Sequence, residues 1–216
     1  MSRASRINPP IAPRIPSKLP VWEGTVEDDL EIDGVHVVDV DFADVTRMTI
    51  SISRILRSSL TGLGLDRFEM SDGVGERVEG AALRTYKPRF LRVCMTDCRF
   101  TGAEFAEGNF EDCVFRNVKF DEVGFRFAVL KRVRFENCVL RQADFTKTTL
   151  TDVVFEDCIL DEAIFTSAIC KAVDVSTENL THVHGLLGLK GASISAEQLI
   201  QLAPLFASEL GFHVKE

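Results

Sequence analysis

The sequence predicts an all-β solenoid built from five-residue steps, and three observations support this fold class. From Phe90 to Leu180 every fifth residue is apolar, through nineteen positions without an exception. From Val93 to Val173, the residue two places before each of these is Ala, Val, Cys or Gly in every step except at Thr148. Segments twenty residues apart resemble one another more than segments five or ten apart. A fixed period of this kind indicates one structural unit repeated many times.

The period of five itself suggests the shape of the repeated unit. The faces of an α-helix recur about every 3.6 residues and those of a strand about every two, so neither element explains the pattern. A chain that turns a corner every five residues does explain it, with four steps in each twenty-residue coil. Positions two apart point the same way in extended backbone, so the large and the small apolar residues should both face inward.

The repeats also carry a recognisable motif. The segments MTDCRFTGAEF from residue 95 and FENCVLRQADF from residue 135 follow the pattern small-x-Leu/Phe-x-x. On this pattern residues 90–180 resemble the pentapeptide-repeat proteins. The resemblance implies a right-handed quadrilateral β-helix, stabilised mainly by burial between neighbouring coils. The buried small positions also account for four of the six cysteines, including Cys98, as compact reduced side chains.

Upstream of residue 90 the register is open. Every fifth residue from Leu30 to Met70 stays in phase, but Val37 with Phe42, and Leu63 with Phe68, fit competing registers. The phase then meets glycine and threonine at 75, 80 and 85, which predicts an irregular coil or a protruding loop at 71–89. We therefore predict that the β-helix spans residues 21–182.

The two ends of the chain differ from the repeats. Residues 1–20 contain five prolines and four basic residues without an acid, which predicts a flexible basic tail. Residues 183–216 form a predicted C-terminal region in which a helix begins at Ser195, forms a capping box with Gln198 and stops at Gly211. Pro204 should kink this helix or divide it in two. An apolar stripe should cap the solenoid or mediate a homodimer, which the resemblance also implies: Leu199, Leu202, Phe206, Leu210.

The composition excludes several classes of function. The net charge is −8, and it becomes −12 without the basic tail, which disfavours direct binding to nucleic acid or membranes. No apolar stretch is long enough for a membrane span and no secretory signal is readable, so we expect a cytoplasmic protein. The pairs His182 with His184 and Cys94 with Cys98 fit a loop and a buried position better than metal ligands. We expect no metal, no cofactor and no enzymatic activity.

The outward residues should carry the function, which we expect to be protein binding. The resemblance implies a DNA mimic that binds DNA gyrase, a type II topoisomerase, and modulates quinolone sensitivity; the alternative is a structural or protein-interaction scaffold. Phe127 would be an interface anchor unless a neighbouring coil shields it. The candidate partner-binding residues are Glu111, Asp112, Asp121, Glu122, Phe127, Glu156, Asp157, Asp161 and Glu162.

Overall fold

The structure is a parallel β-solenoid, as the sequence predicts. It is a computed structural model that describes residues 6–43, 45–176, 180 and 182–213. Eight strands stack in parallel in the order β1-β3-β6-β8-β9-β10-β11-β12, which makes seven steps of one coil each. The strands are β1 (Leu30–Asp33), β2 (His36–Val38), β3 (Arg47–Ser51), β4 (Arg54–Leu56), β5 (Gly64–Leu65), β6 (Arg67–Glu76), β7 (Arg84–Thr85), β8 (Arg89–Thr96), β9 (Asn109–Arg116), β10 (Val129–Glu136), β11 (Thr149–Glu156) and β12 (Ile169–Ser176).

Each coil has four sides, and residues twenty apart lie in register. In the coil that starts at β8, the strand forms the first and second sides, while single bridges at Arg99 and Glu104 form the third and fourth. The chain turns between sides at a residue with positive φ, such as Arg92 at 52° and Asp97 at 55°. We call these the corner positions, and each lies two residues after a large inward residue. The left-handed conformation is what allows a tight turn every five residues.

The large inward residues form stacked columns in the core. Phe145 is fully buried, and its ring lies 5.3 Å from that of Phe125 in the coil before and 5.0 Å from that of Phe165 in the coil after. The small inward positions hold hydrogen-bond donors as well as apolar groups. The Cys138 thiol donates to the carbonyl of Phe115, and the Thr148 hydroxyl donates to that of Phe125, each 23 residues earlier. Cysteine and threonine there link neighbouring coils.

The first coil is shorter than the others, and this resolves the upstream register. Ile32 pairs with Ile50 and Val37 with Ile55, an interval of 18 residues instead of 20. The phase therefore shifts by two, so that Ile32, Val37 and Phe42 are buried in the large positions. The predicted phase is wrong before residue 45 and correct from Ile50 onward.

Residues 71–89 form a regular coil, so the predicted irregular coil or loop is wrong. Gly75 pairs with Met95, and a Cβ atom at Gly80 would lie 2.5 Å from the ring of Phe100. The side chains of the following coil fill the space that large residues occupy elsewhere. These glycines are inward positions whose volume is supplied by their neighbours twenty residues later.

The N-terminal segment differs from the flexible tail that the sequence predicts. Residues 6–20 form no helix or strand, but Asn8, Ile11 and Arg14 donate backbone hydrogen bonds to the solenoid. Val21 then bridges to His36, and the half-buried Trp22 ring lies 6.3 Å from that of Phe42 at the start of the core. The segment is bound to the solenoid because its backbone N–H groups donate hydrogen bonds to aspartate carboxylates. Residues 1–5 of the predicted tail lie outside the described residues.

A helix covers the C-terminal end of the solenoid, as predicted. The chain continues past residue 183 through two further bridges, Ile164 to His184 and Asp174 to Ser193, and then forms helix α1 (Ala196–Glu209). The Ser195–Gln198 capping box is present, and Gly211 follows the helix with φ 75°. Pro204 does not divide the helix in two, because the helix continues beyond it to Glu209. Residues 214–216 are outside the described part of the chain.

Among the described residues, no helix is long and apolar enough to cross a membrane.

Replacing Gly80 with alanine tests the packing of the 71–89 coil. We expect Gly80→Ala to lower the free energy of unfolding by about 1–3 kcal/mol, because the new methyl group overlaps the Phe100 ring. Urea denaturation measures this change. Gly64→Ala is the control, since its Cβ would contact nothing within 4 Å. Equal stability of the two variants would contradict the regular coil at 71–89.

Candidate functional site

The predicted binding residues lie on several corners of the solenoid. Corner positions stack in columns because the coils pair at twenty-residue intervals. Asp112 lies between the first and second sides, Asp157 between the second and third, Glu122 between the third and fourth, and Phe127 between the fourth side and the next coil. The nine predicted residues therefore do not form one continuous negative face.

The corner between the first and second sides carries alternating charges, and we call it the corner ladder: Asp72, Arg92, Asp112, Arg132, Asp152. The Arg132 guanidinium donates Nε to Asp112 Oδ1 at 2.6 Å and Nη2 to Oδ2 at 2.8 Å. Arg92 makes the same two-bonded contact with Asp72, at 2.7 and 2.5 Å. Such paired hydrogen bonds between guanidinium and carboxylate are directional as well as strong. The same Asp–Arg pair thus occurs twice along the ladder, at an interval of two coils.

Two carboxylates of the corner ladder, those of Asp72 and Asp112, are held in their charged form. Hydrogen bonds from Arg92 lower the pKa of Asp72. Burial opposes ionisation of Asp112, but the Arg132 guanidinium and the Ile11 N–H outweigh it, so the pKa of Asp112 is also lowered. Lys131 and Arg132 likewise lower the pKa of Glu111. A lowered pKa suits a permanent anion and does not suit a general acid at neutral pH.

A second surface is an acidic corner between the third and fourth sides, which we define by Asp121, Glu122, Arg141, Gln142, Asp161 and Glu162. These six residues line one shallow depression. Arg141 Nη1 lies 3.6 Å from Asp121, and Gln142 donates to Glu162 at 2.6 Å. Four of the predicted residues are thus brought together, with four acids against one arginine. This corner has the strongest concentration of negative charge among the predicted residues.

The two remaining predicted acids lie apart from these surfaces. Glu156 accepts a hydrogen bond from Arg134 at 2.5 Å. Asp157 is exposed at the top of a polar column in which Asn137 donates to Asn117, and Asn117 donates to Asp97. Basic residues elsewhere on the solenoid surface also pair with acids of the preceding coil: Arg126 contacts Glu104, and Lys131 contacts Glu111. Cross-coil ion pairs thus make the surface a patchwork of both charges.

Phe127 is exposed, although Lys147 of the next coil covers one face of its ring. Its side chain is 53% exposed at a corner with φ 60°. Val129 lies two residues later, and Ile169 continues the Val129 column two coils on, with 62% exposure. We call these three residues the Phe127 patch. The Lys147 ammonium lies 5.3 Å from the Phe127 ring, so a cation sits on one face of the anchor.

The predicted helix stripe splits into a buried and an exposed part. Leu202 is fully buried and Phe206 is partly buried, so both cover the end of the core. Leu199 and Leu210 are 53% and 57% exposed. Glu209 accepts hydrogen bonds from the backbone N–H groups of Leu186 and Leu187, which ties the end of the helix to the last coil.

The cysteines and histidines occupy separate environments. Burial raises the pKa of Cys98 to about 12, while Cys94 faces outward and lies 3.4 Å from the Arg116 guanidinium. His182 contacts Asp161 at 2.7 Å, beside the acidic corner. Within the described ranges, no three His, Cys, Asp or Glu side chains are arranged to hold a metal ion.

Comparisons with known proteins address the fold. Residues 89–165 match the family model described as a pentapeptide repeat region, which confirms the resemblance found in the sequence. No curated protein shows a significant sequence match to the chain. A trypsin-treated form of QnrB1, a plasmid-mediated fluoroquinolone resistance protein, is 14% identical over 87% of this chain and 99% of its own, with a TM-score of 0.39.

Two cyanobacterial structures are also similar. HetL from Nostoc sp. strain PCC 7120, a pentapeptide repeat protein involved in heterocyst differentiation regulation, is 12% identical over 77% of this chain and 87% of its own, with a TM-score of 0.33. The pentapeptide repeat protein Rfr23 from Cyanothece 51142 is 10% identical over 62% of this chain and 90% of its own, with a TM-score of 0.26.

The corner ladder predicts a pH-dependent contribution to stability. Because the pKa of Asp112 is lower in the folded protein than its ordinary value of 3.8, its stabilising effect is present above about pH 4 and is lost as the pH falls further. We expect Asp112→Asn to lower the free energy of unfolding by about 1–3 kcal/mol at pH 7, because Arg132 loses the nearly buried one of its two carboxylate partners, Asp112 and Glu111. Urea denaturation at pH 7 and pH 3 measures this.

The control is Asp157→Asn, which changes an exposed corner carboxylate. We expect it to leave stability at pH 7 nearly unchanged. A difference between Asp112→Asn and the unmodified protein that is as large at pH 3 as at pH 7 would contradict the electrostatic role of the ladder.

Proposed function

We propose, for a chain whose residues 89–165 are a pentapeptide repeat region, that the solenoid is a non-enzymatic protein-binding module and that the Phe127 patch is its contact surface. The observation that carries this proposal is the exposed Phe127 ring at a left-handed corner. The proposal corresponds to the protein-interaction scaffold predicted from the sequence as the alternative function.

The conformation of Phe127 supports this role. A bulky side chain at positive φ is disfavoured, and most described corners carry Gly, Asp, Asn or other polar residues. Ile52 shows that the fold also tolerates an apolar corner, but at 38% exposure it is more covered than Phe127. The left-handed conformation is common to the corners, so the unusual feature of Phe127 is an aromatic ring exposed to solvent at one of them. Aromatic anchors with apolar neighbours commonly dominate the energy of protein interfaces.

The charge pattern bears on the choice between a scaffold and a DNA mimic. Duplex DNA presents an unbroken series of negative charges. Here Lys131, Arg132 and Arg134 each pair with acids of neighbouring coils, which interrupts the negative surface on the first two sides. The patchwork therefore favours recognition through a local patch over mimicry along the whole rod.

DNA gyrase is a second candidate partner, and the acidic corner supports it. Its four carboxylates lie around one arginine and face solvent, so they offer a local negative surface to a protein that normally holds DNA. The seven coil steps give a rod about 34 Å long, near one turn of B-DNA at about 34–36 Å. Two copies joined through the exposed side of α1, at Leu199 and Leu210, would double that length.

Site-specific photo-crosslinking tests the Phe127 patch. With p-benzoylphenylalanine at position 127, we expect one discrete crosslinked protein from cells, and no such product with the label at Asn137 on another corner. The purified partner should bind Phe127→Ala at least tenfold more weakly, which corresponds to about 1.4 kcal/mol, and Asn137→Ala equally well. Equal crosslinking at both positions, or full affinity of Phe127→Ala, would show that the patch is not the contact surface.

A supercoiling assay tests the gyrase candidate separately. We expect the protein at micromolar concentration to inhibit gyrase or to protect it from ciprofloxacin, and Glu122→Gln/Glu162→Gln to weaken that effect at least tenfold by removing two charges from the acidic corner. Phe127→Ala leaves the acidic corner intact, so we expect it to act on gyrase as the unmodified protein does. Absence of inhibition, protection and binding would exclude gyrase and leave the Phe127 proposal standing.

A further inference from the structure

The N-terminal segment makes a periodic contact with the corner ladder. The N–H of Asn8 donates to Asp152 at 3.2 Å, that of Ile11 to Asp112 at 3.0 Å, and that of Arg14 to Asp72 at 2.8 Å. The donors are three residues apart and the acceptors forty residues apart, which is two coils. The segment runs opposite to the order of the coils. Three backbone N–H contacts at equal intervals in one direction indicate a matched repeat, with the two acceptors Asp72 and Asp112 part-buried and the third, Asp152, exposed.

The match follows from two standard geometries. A polyproline II helix has three residues per turn and rises about 9.3 Å in that turn. Two coils at the usual strand spacing rise about 9.6 Å. A polyproline II segment therefore presents one N–H to every second coil with almost no drift. The alternation of Asp and Arg in the ladder places an acceptor at that same interval.

The amino-acid sequence of the segment fits this geometry. Prolines stand at 9, 10, 13, 16 and 20, and none stands at the three donor positions, where proline would lack the N–H. Asn8, Ala12 and Ile15 each precede a proline, which biases their backbone toward polyproline II. The segment is thus preorganised, and little conformational entropy is lost when it binds.

The acceptor side is equally well defined. Oδ1 of Asp112 accepts both the Ile11 N–H and the Arg132 Nε–H, and Oδ1 of Asp72 accepts both the Arg14 N–H and the Arg92 Nε–H. The arginines thus orient each carboxylate for the incoming amide. Asp112 is only 3% exposed, so the central acceptor is buried where the segment crosses it.

We propose that the corner ladder is a binding site for a basic, proline-rich segment in polyproline II conformation with a free N–H at every third residue. Residues 6–20 occupy the site within the same chain and compete with a segment of this kind from a partner protein. This surface lies on a different corner from the Phe127 patch, so the inference stands independently of the proposed function.

Limited proteolysis of the full chain tests the contact within the chain. Ile11→Pro removes the central donor and keeps the polyproline II preference, whereas Ala12→Pro adds a proline at a position that makes no hydrogen bond to the ladder. We expect trypsin to cleave after Lys18 at least tenfold faster in Ile11→Pro than in the unmodified protein, and within twofold of it in Ala12→Pro. Equal cleavage of the two variants would overturn the proposal.

Peptide binding tests recognition from outside the chain. A fluorescein-labelled peptide with the sequence of residues 6–20 should bind Ile11→Pro at least tenfold more tightly than the unmodified protein, whose site is occupied. The peptide carrying its own Ile11→Pro change should bind at least tenfold more weakly, and the one carrying Ala12→Pro equally well. Failure of the unmodified peptide to bind, or equal binding of all three peptides, would contradict the site.

Sedimentation equilibrium distinguishes the source of the bound segment. We expect Ile11→Pro to leave the oligomeric state unchanged, because the segment folds back on its own solenoid. A dimer of the unmodified protein that dissociates in Ile11→Pro would mean that the segment crosses to a second copy, and would overturn the assignment within one chain.

Discussion

The pairing of each coil with the next at an interval of twenty residues is the constraint on which the rest of the structure depends. Parallel pairing puts residues twenty apart into one column, so each column repeats a single environment. Inside, this stacks phenylalanine rings and directs thiol and hydroxyl groups to carbonyls of the preceding coil. Outside, it converts Asp112 and Arg132 into direct neighbours. Core and surface are thus ordered by the same interval.

The sequence predicts the fold well where size alone decides burial. The large and small inward positions from 90 to 165 are all buried, because each coil has the same length there. Two errors have physical causes. The first coil lacks two residues, which shifts its phase to the competing register of Val37 and Phe42, and the sequence alone does not show where the two residues are lost. Gly75 and Gly80 resemble loop residues until Met95 and Phe100 are placed beside them, since the missing volume lies twenty residues away.

The candidate site is less predictable from the sequence, because the role of each charged residue depends on its corner and on its neighbour in the next coil. The acids could be identified from the sequence, but their distribution over different corners follows from the positions of the turns. The pairing of Asp112 with Arg132 is implied by their spacing of twenty, once the coil length is known. The N-terminal segment was predicted as flexible because prolines usually indicate a linker. Its signal is the absence of proline at 8, 11 and 14.

The alternation of the corner ladder also limits how this solenoid can change in length. Solenoids grow and shrink by duplication or loss of whole coils, which neighbour-to-neighbour packing readily accommodates. Ile11 and Arg14 donate to acceptors that are two coils apart, Asp112 and Asp72. If one coil were inserted between these acceptors, they would be three coils apart, and one of the two N–H groups would face an arginine of the ladder. An insertion of two coils would preserve the alternation. The N-terminal segment therefore favours changes by an even number of coils, a restriction that the packing of the core by itself does not impose.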